Sequence, residues 1–327
     1  MEQTKKRLSN VRATDVLNWA LDNAMIILIL LLSVYVAIRT PAFIKVPNLV
    51  NLLSLTAARL PMALGVAGCI ILAGTDLSGG RMIGLAGFIS AIIMQKVAGA
   101  ASPIVAILAV VVIGAAVGFV NGFCMGKFKL HPFIVTLATQ LMIYGIYLTV
   151  SNSKQIPMSA FSNQAIFTLA GRQVNWYVLL AAIITVVMWF VWNKTTFGKN
   201  MFAVGSNEEA ARVSGVNVLF TIVCVFMLAG ALYGYSGFIE AARIGNSSPT
   251  LGLSYESDAI SAVVIGGVSF VGGTGKISGV ILGVLMMQLI MTAMTFLGIS
   301  GGVAYIIKGG VILVACILDM RKYRTKK

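Results

Sequence analysis

The chain has 327 residues, of which 58% are apolar and 10% charged, with 24 Lys and Arg against 10 Asp and Glu for a net charge of +14. Soluble domains run about 45–50% apolar and about 25% charged, and a mean hydropathy of +0.94 exceeds what one wetted globule of this size can bury. These figures exclude a soluble enzyme, a nucleic-acid binder and a disulfide-stapled secreted domain, and they predict an all-α polytopic membrane protein.

The first 20 or so residues are polar and carry Lys5, Lys6, Arg7 and Arg12, with no cleavage site after the first apolar run. This predicts an uncleaved first span. Ten apolar stretches follow, at about 21–38, 55–73, 82–97, 103–125, 132–150, 176–192, 218–239, 257–272, 277–297 and 302–319. Each is read as a transmembrane helix, the sixth being long enough only with its flanks.

Orientation follows from charge. With the N-terminus in the cytoplasm and sides alternating, the inner segments hold 16 basic residues: Lys5, Lys6, Arg7, Arg12, Arg81, Lys127, Lys129, Lys194, Lys199, Arg212, Lys276, Arg321, Lys322, Arg324, Lys326 and Lys327. The outer segments hold 5, namely Arg39, Lys45, Lys154, Arg172 and Arg243. Cytoplasmic loops collect Lys and Arg, so both termini are expected in the cytoplasm.

Between the second and third stretches lies GTDLSGGR (74–81). Thr75, Asp76 and Ser78 are strong caps, and Gly79-Gly80 frees the backbone from helical geometry. With Arg59 and Pro61 ahead of it, the clean apolar run covers only 62–73, roughly 18 Å of helix. Two readings stand open: a polar break inside a discontinuous span, or an ordinary cytoplasmic turn approached by a tilted amphipathic segment over 48–58.

Further along, Gly114, Gly118, Gly122 and Gly126 form a four-residue ladder, and Gly275, Gly279 and Gly283 repeat the spacing. Both predict close helix packing rather than sites. Residues 151–175 are expected outside, long enough to present a surface. Residues 193–217 are expected inside with one short helix: Ser206 or Asn207 as N-cap, Glu208 and Glu209 early, Arg212 late, Gly215 as stop. Glu240, Arg243, Glu256 and Asp258 flank the loop after the seventh stretch and suit either an ion-pair gate or interfacial snorkelling. Lys308, inside the tenth stretch, needs pairing or hydration.

Several motifs fail their tests. GGTGKIS (272–278) is no Walker A loop, since Phe270 stands where a glycine is needed and Ile277 follows Lys276. Cys69, Cys124, Cys224 and Cys316 sit singly in apolar runs and read as packing. His131 precedes Pro132 and reads as a turn residue. No metal, cofactor or catalytic residue is expected. The near absence of other intramembrane acids also counts against a proton-driven carrier, and a membrane-embedded enzyme lacks the clustered His, Asp and Glu it would need.

Six segments, NLVNLL (48–53), GVAGCIILAGTDLSGGRMIGLAG (65–87), HPFIVTLAT (131–139), NKTTFGKNMFAVGSNEEAARVSGVNV (193–218), DAISAVVIGGVSFVGGTGKISGVILG (258–283) and YIIKGG (305–310), together resemble the membrane-spanning permease subunit of ABC importers for ribose, galactose and related monosaccharides. GTDLS followed by GR, and DAI…GGVSF, look like the galactoside branch. The alternatives are the same family carrying ribose, another pentose or a nucleoside, and an ATP-independent carrier.

The resemblance covers roughly residues 41–324 and implies one permease domain over 1–327 in the bacterial cytoplasmic membrane, in contact with membrane lipid. It implies a second permease copy (a homodimer or a pair of paralogues), a cytoplasmic ATPase subunit, an extracytoplasmic sugar-binding protein and no nucleic acid. It makes 193–217 the coupling segment, with Gly205, Asn207, Glu208, Ala210, Ala211 and Gly215 docking into the ATPase. Asp76, Ser78, Asn121, Gln140 and Tyr144 are the residues expected along the sugar path.

Overall fold

The computed structural model describes residues 24–97, 99, 102–158, 165–169 and 172–324. The polar N-terminal segment with its four basic residues, and Lys326 and Lys327, lie outside the described residues. The chain forms two compact units, residues 46–288 and a smaller one made of residues 1–45 and 289–327.

The larger unit is built around α2 (Val46–Ile71), which continues unbroken through Arg59 and Pro61. The helix is thus longer than the clean apolar run over 62–73. Pro61 removes one helix hydrogen bond, but both it and Ala57 are buried, so neighbouring helices hold the turn in place. In the most apolar window of α2, 89% of the residues are buried. That helix is surrounded by protein.

Around it stand α3 (Gly79–Lys96), α4 (Ser102–Phe128), α5 (Pro132–Ser151), α6 (Trp176–Lys194) and α9 (Val218–Ile244). The windows of α4, α5 and α6 are only 22–28% buried and expose Leu108, Val112, Leu141, Ile146, Val186 and Phe190, the outward face of a helix solvated by lipid. Among the described residues six helices are long and apolar enough to cross a membrane: α2, α4, α5, α6, α9 and α11 (Ile277–Phe296).

Helices α4 and α9 pack through glycine. A Cβ at Gly114 would overlap the carbonyl of Gly230, one at Gly118 that of Phe226, and one at Gly234 that of Val110. The ladder is a packing face, as its spacing predicts. Gly279 and Gly283 meet Gly266 and Ala262 in the same way.

The third and eighth stretches differ from simple spans. Take the Ile71 end of α2 as the lower end. After it the chain turns back on itself, and α3 begins with Gly79 against Met62 and Tyr233. Met62 lies nine residues above Ile71, about 13 Å along the helix. Residues 72–78 thus re-enter the unit before α3 starts halfway up, with Asp76 and Ser78 each 1% exposed.

A mirror arrangement follows α9. Past Gly245 at its upper end, the chain runs down beside α3, placing Leu251 against Gly87 and Gly84 and Gly252 against Gly80. There α10 (Tyr255–Ile265) begins. At 11 residues it is about 17 Å long, roughly half a hydrocarbon core. The eighth stretch therefore ends as helix at Ile265, and positive φ at Gly267, Gly272 and Gly273 turns the rest into a loop.

The segment 193–217 holds two helices, α7 (Thr196–Ser206) and α8 (Glu208–Val213). Asn207 is the N-cap of α8, accepting from the Ala210 N–H at 2.9 Å, and Gly215 turns at φ +84°. Ser206 instead closes α7, and Gly205 lies on α7. In 151–175, β1 (Ile156–Pro157) pairs antiparallel with β4 (Asn246–Ser247), and β2 (Ala165–Leu169) with β3 (Arg172–Asn175).

The smaller unit joins α1 (Ala24–Arg39), a 3-10 turn at Pro41–Ile44, α11 from Leu289 onward and α12 (Gly301–Arg324). Its core gathers Val36, Phe43 and Ala293, with Phe43 and Phe296 meeting edge to face at 5.7 Å. Lys308 lies 5.4 Å from the Tyr305 ring centroid.

Candidate functional site

The two half-helices α3 and α10 start in the middle of the larger unit. Each N-terminus carries unpaired N–H groups and partial positive charge, which needs polar company when buried. The sequence supplies carboxylates. Asp76 lies in the segment feeding α3, and Glu256 in the first turn of α10 rests its carboxylate on Gly80, where a Cβ would overlap it.

Around Asp76 a chain of hydrogen bonds joins the 72–78 segment to α4 and α5. The Ser78 hydroxyl and N–H both donate to Asp76 Oδ1, at 2.6 and 2.9 Å. The side-chain N–H of Asn121, on α4 and fully buried, donates to Ser78 Oγ at 3.2 Å, and the Thr139 hydroxyl on α5 donates to Asn121 Oδ1 at 2.6 Å. Cys69 and Tyr233 close the other side of Asp76. Ser78 thus serves Asp76 rather than capping α3, since its side chain makes no cap bond.

Three of the five expected path residues, Asp76, Ser78 and Asn121, belong to this one network. Thr139 is the member missed, although it stands in the HPFIVTLAT segment. Half-buried Gln140 makes no side-chain hydrogen bond to the network among the described residues. Tyr144 also stands apart: the Arg81 guanidinium lies over its ring at 3.9 Å and reaches the Pro249 carbonyl at 3.5 Å. Arg81, expected in an inner loop, sits in the first turn of α3, midway through the unit. Asn121→Leu leaves Thr139 and Ser78 buried without their shared partner, which costs about 1–3 kcal/mol. A lowered unfolding temperature in detergent checks this.

Above the network Arg59 ties three helices together. Its Nε donates to Glu240 Oε1 of α9 at 2.5 Å, its Nη1 lies 3.7 Å from Asp258 Oδ2 of α10, and its guanidinium covers the Tyr255 ring at 3.3 Å. Glu240 has no exposed surface and also accepts from Arg243 at 2.8 and 3.1 Å. Of the charges after the seventh stretch, Glu240, Arg243 and Asp258 are therefore ion-paired inside the protein rather than snorkelling at an interface, while buried Glu256 sits at the start of α10.

At the lower end α7 lies against α2, and α8 packs on α7 and α9. Gly205 packs so closely on the Ile71 carbonyl that a Cβ would overlap it, and the Gly273 N–H donates to that same carbonyl at 2.8 Å. Lys129, from the α4–α5 loop, pairs with Glu208, which also accepts from Arg212 at 2.7 Å.

The Lys129 hydrogen bond, with Arg212 assisting, holds the Glu208 carboxyl below its ordinary range. A depressed folded-state value means that the bridge contributes its stability above the unfolded carboxylate pKa of about 4.3 and loses it as pH falls through the folded value. Both side chains are more than a third exposed, so the pair is worth at most about 1 kcal/mol. Lys129→Met is expected to shift the detergent unfolding midpoint by that little, with the difference vanishing at pH values below the folded pKa.

The sequence-derived set Gly205, Asn207, Glu208, Ala210, Ala211 and Gly215 all falls on this paired-helix module. Ala211 is buried with Val204 and Val218, fastening α8 to α7 and α9. Val213, at the end of α8 and outside that set, is 88% exposed.

The family model described as branched-chain amino acid transport system, permease component, matches residues 48–316. The chain belongs to this family of transport permeases. It is 42% identical to the galactose/methyl galactoside import permease protein of Haemophilus influenzae, over 94% of this chain and 96% of that one. Identity to the protein of the same name from Escherichia coli is 38%, over 98% of this chain and 100% of that one. To the Escherichia coli ribose import permease protein it is 33%, over 93% and 95%. No solved structure matches. The permease is accordingly a transport subunit rather than an enzyme, and its described residues hold no group of His, Cys, Asp or Glu fit for a metal ion.

Proposed function

We propose that this permease is the membrane-spanning subunit of an ATP-driven importer in the bacterial cytoplasmic membrane and carries galactose and methyl galactosides. The cargo reading rests on the higher identity to galactoside permeases, 38–42% over nearly the full chain, than to ribose permeases, 33–35%. Ribose is the second reading, on those same relatives.

Ten membrane crossings follow when each half-helix is counted together with the extended segment that feeds it. Seven residues of extended chain span up to about 23 Å, enough for 72–78 to complete the crossing of α3. Both termini and the lower end then face the cytoplasm, where α7 and α8 dock a separate ATPase. The upper end, with 151–175, receives a sugar-binding protein, and a second permease copy, the same chain in a homodimer, completes the path. The observation that carries this reading is the α7–α8 module, whose Gly205 bears on the Ile71 end of the central helix. Closure of the ATPases on nucleotide would move α7, and with it α2, as a rigid body.

Sugar passes weakly bound along the interface between the two copies, beside the half-helix crossing that holds Asp76, Ser78 and Asn121. The test is uptake in vesicles containing permease, ATPase and binding protein. Labelled galactose should accumulate with ATP, compete with methyl galactoside and resist excess ribose. Accumulation driven by a proton gradient without ATP would overturn the reading.

A further inference from the structure

The loop joining α10 to α11 has no role in the proposed transport cycle, yet it is laced to the coupling module. Gly272 abuts the Gly205 carbonyl, Gly273 abuts Ser206, and the Gly273 N–H bonds to Ile71. Beside it opens a cleft of about 470 Å³ between Phe202 of α7 on one side and Gly266, Gly273, Lys276 and Leu282 on the other. The cleft has an apolar wall at each side, bare glycine backbone between them and one charge, Lys276. Val271, midway along the loop, is 51% exposed.

We propose that this cleft is a second docking site for the ATPase subunit, receiving an acidic side chain flanked by apolar ones. The proposal rests on the lower end being the ATPase-facing end. Two features favour a protein occupant. The cleft takes Phe202 from the α7–α8 module, so a single rigid partner meets α7, α8 and the loop together. Lys199 and Lys276 are exposed there, and on α8 Glu208 and the exposed Glu209 are matched by Lys129 and Arg212, so the face keeps a net positive charge. An acidic partner surface complements them. A partner gripping both loops would press on Ile71 from two sides, through Gly205 and Gly273, and so drive α2 without letting α7 slide past it.

The test uses the complete permease–ATPase–binding-protein complex, purified by a tag on the permease. Val271→Asp with Lys276→Glu should reduce the ATPase retained at least about tenfold and abolish uptake, while the permease keeps its elution profile. A bulky maleimide on Lys276→Cys, attached to folded permease alongside identically treated unsubstituted protein, should block re-association of added ATPase. Retention and re-association at the unsubstituted level would overturn the proposal. Loss of bound anionic phospholipid alone from the variants would overturn it too, since the cleft would then hold a lipid headgroup. If the unsubstituted permease itself retains no ATPase, the function reading falls instead.

Discussion

Glu240→Gln will unfold this permease more readily than any exposed substitution. The carboxylate is fully buried and shared by Arg59 and Arg243, so neutralising it leaves Arg59 inside the protein with only Asp258, at 3.7 Å, to balance it. Removing one partner of a buried pair costs about 3–5 kcal/mol, because the surviving charge stays desolvated. Thermal unfolding in detergent should show the loss. Arg59→Met combined with Glu240→Leu should recover part of it, since no fully buried charge is then left and only the partly exposed Arg243 and Asp258 lose a partner, and the two losses should be far from additive. A double variant as unstable as the sum of the singles would mean that the two residues act separately.

The second large effect belongs to the glycine ladder. Gly118→Leu inserts a side chain where even a Cβ overlaps the Phe226 carbonyl, so α4 and α9 cannot both keep their places, and no monodisperse permease is expected. Gly118→Ala needs a smaller separation and should cost about 1–3 kcal/mol or more, as overpacking does. Gly145 on α5 is the control: a Cβ there meets nothing within 4 Å. Gly145→Ala should be neutral or stabilising by about 0.5–1 kcal/mol, because alanine loses less chain entropy on entering a helix. Recovery from size-exclusion chromatography separates the three.

How far the sequence reveals this molecule depends on the distance over which each feature acts. The ladder was legible because a period of four is a local property that puts four glycines on one face. Asn207 and Gly215 were legible for the same reason, as caps that need only their own neighbours. Depth was not. Apolar composition marks 257–272 as a membrane segment but does not say that α10 begins halfway through the protein and stops at Ile265.

Arg59 and Pro61 misled for a related reason. Both look like breaks in an apolar run, whereas α2 is covered by other helices that supply Arg59 with Glu240 and Tyr255 and hold the turn at Pro61. The Asp76–Ser78–Asn121–Thr139 chain joins residues up to 63 positions apart, and only the packing of α3, α4 and α5 shows which polar residues meet. Tyr144 was separated from that group by Arg81, whose place in the first turn of α3 depended on where the break fell.

The central claim is that the α7–α8 module couples this chain to an ATPase, and co-purification tests it most directly. The tagged permease would be expressed with its neighbouring ATPase, beside a version whose 205–215 segment is replaced by Gly and Ser, and both would be extracted in detergent. The ATPase is predicted to stay with the first and be lost from the second, with the permease itself eluting as a folded species in each case. Retention by the altered chain would contradict the account, as would an unaltered permease that purifies alone.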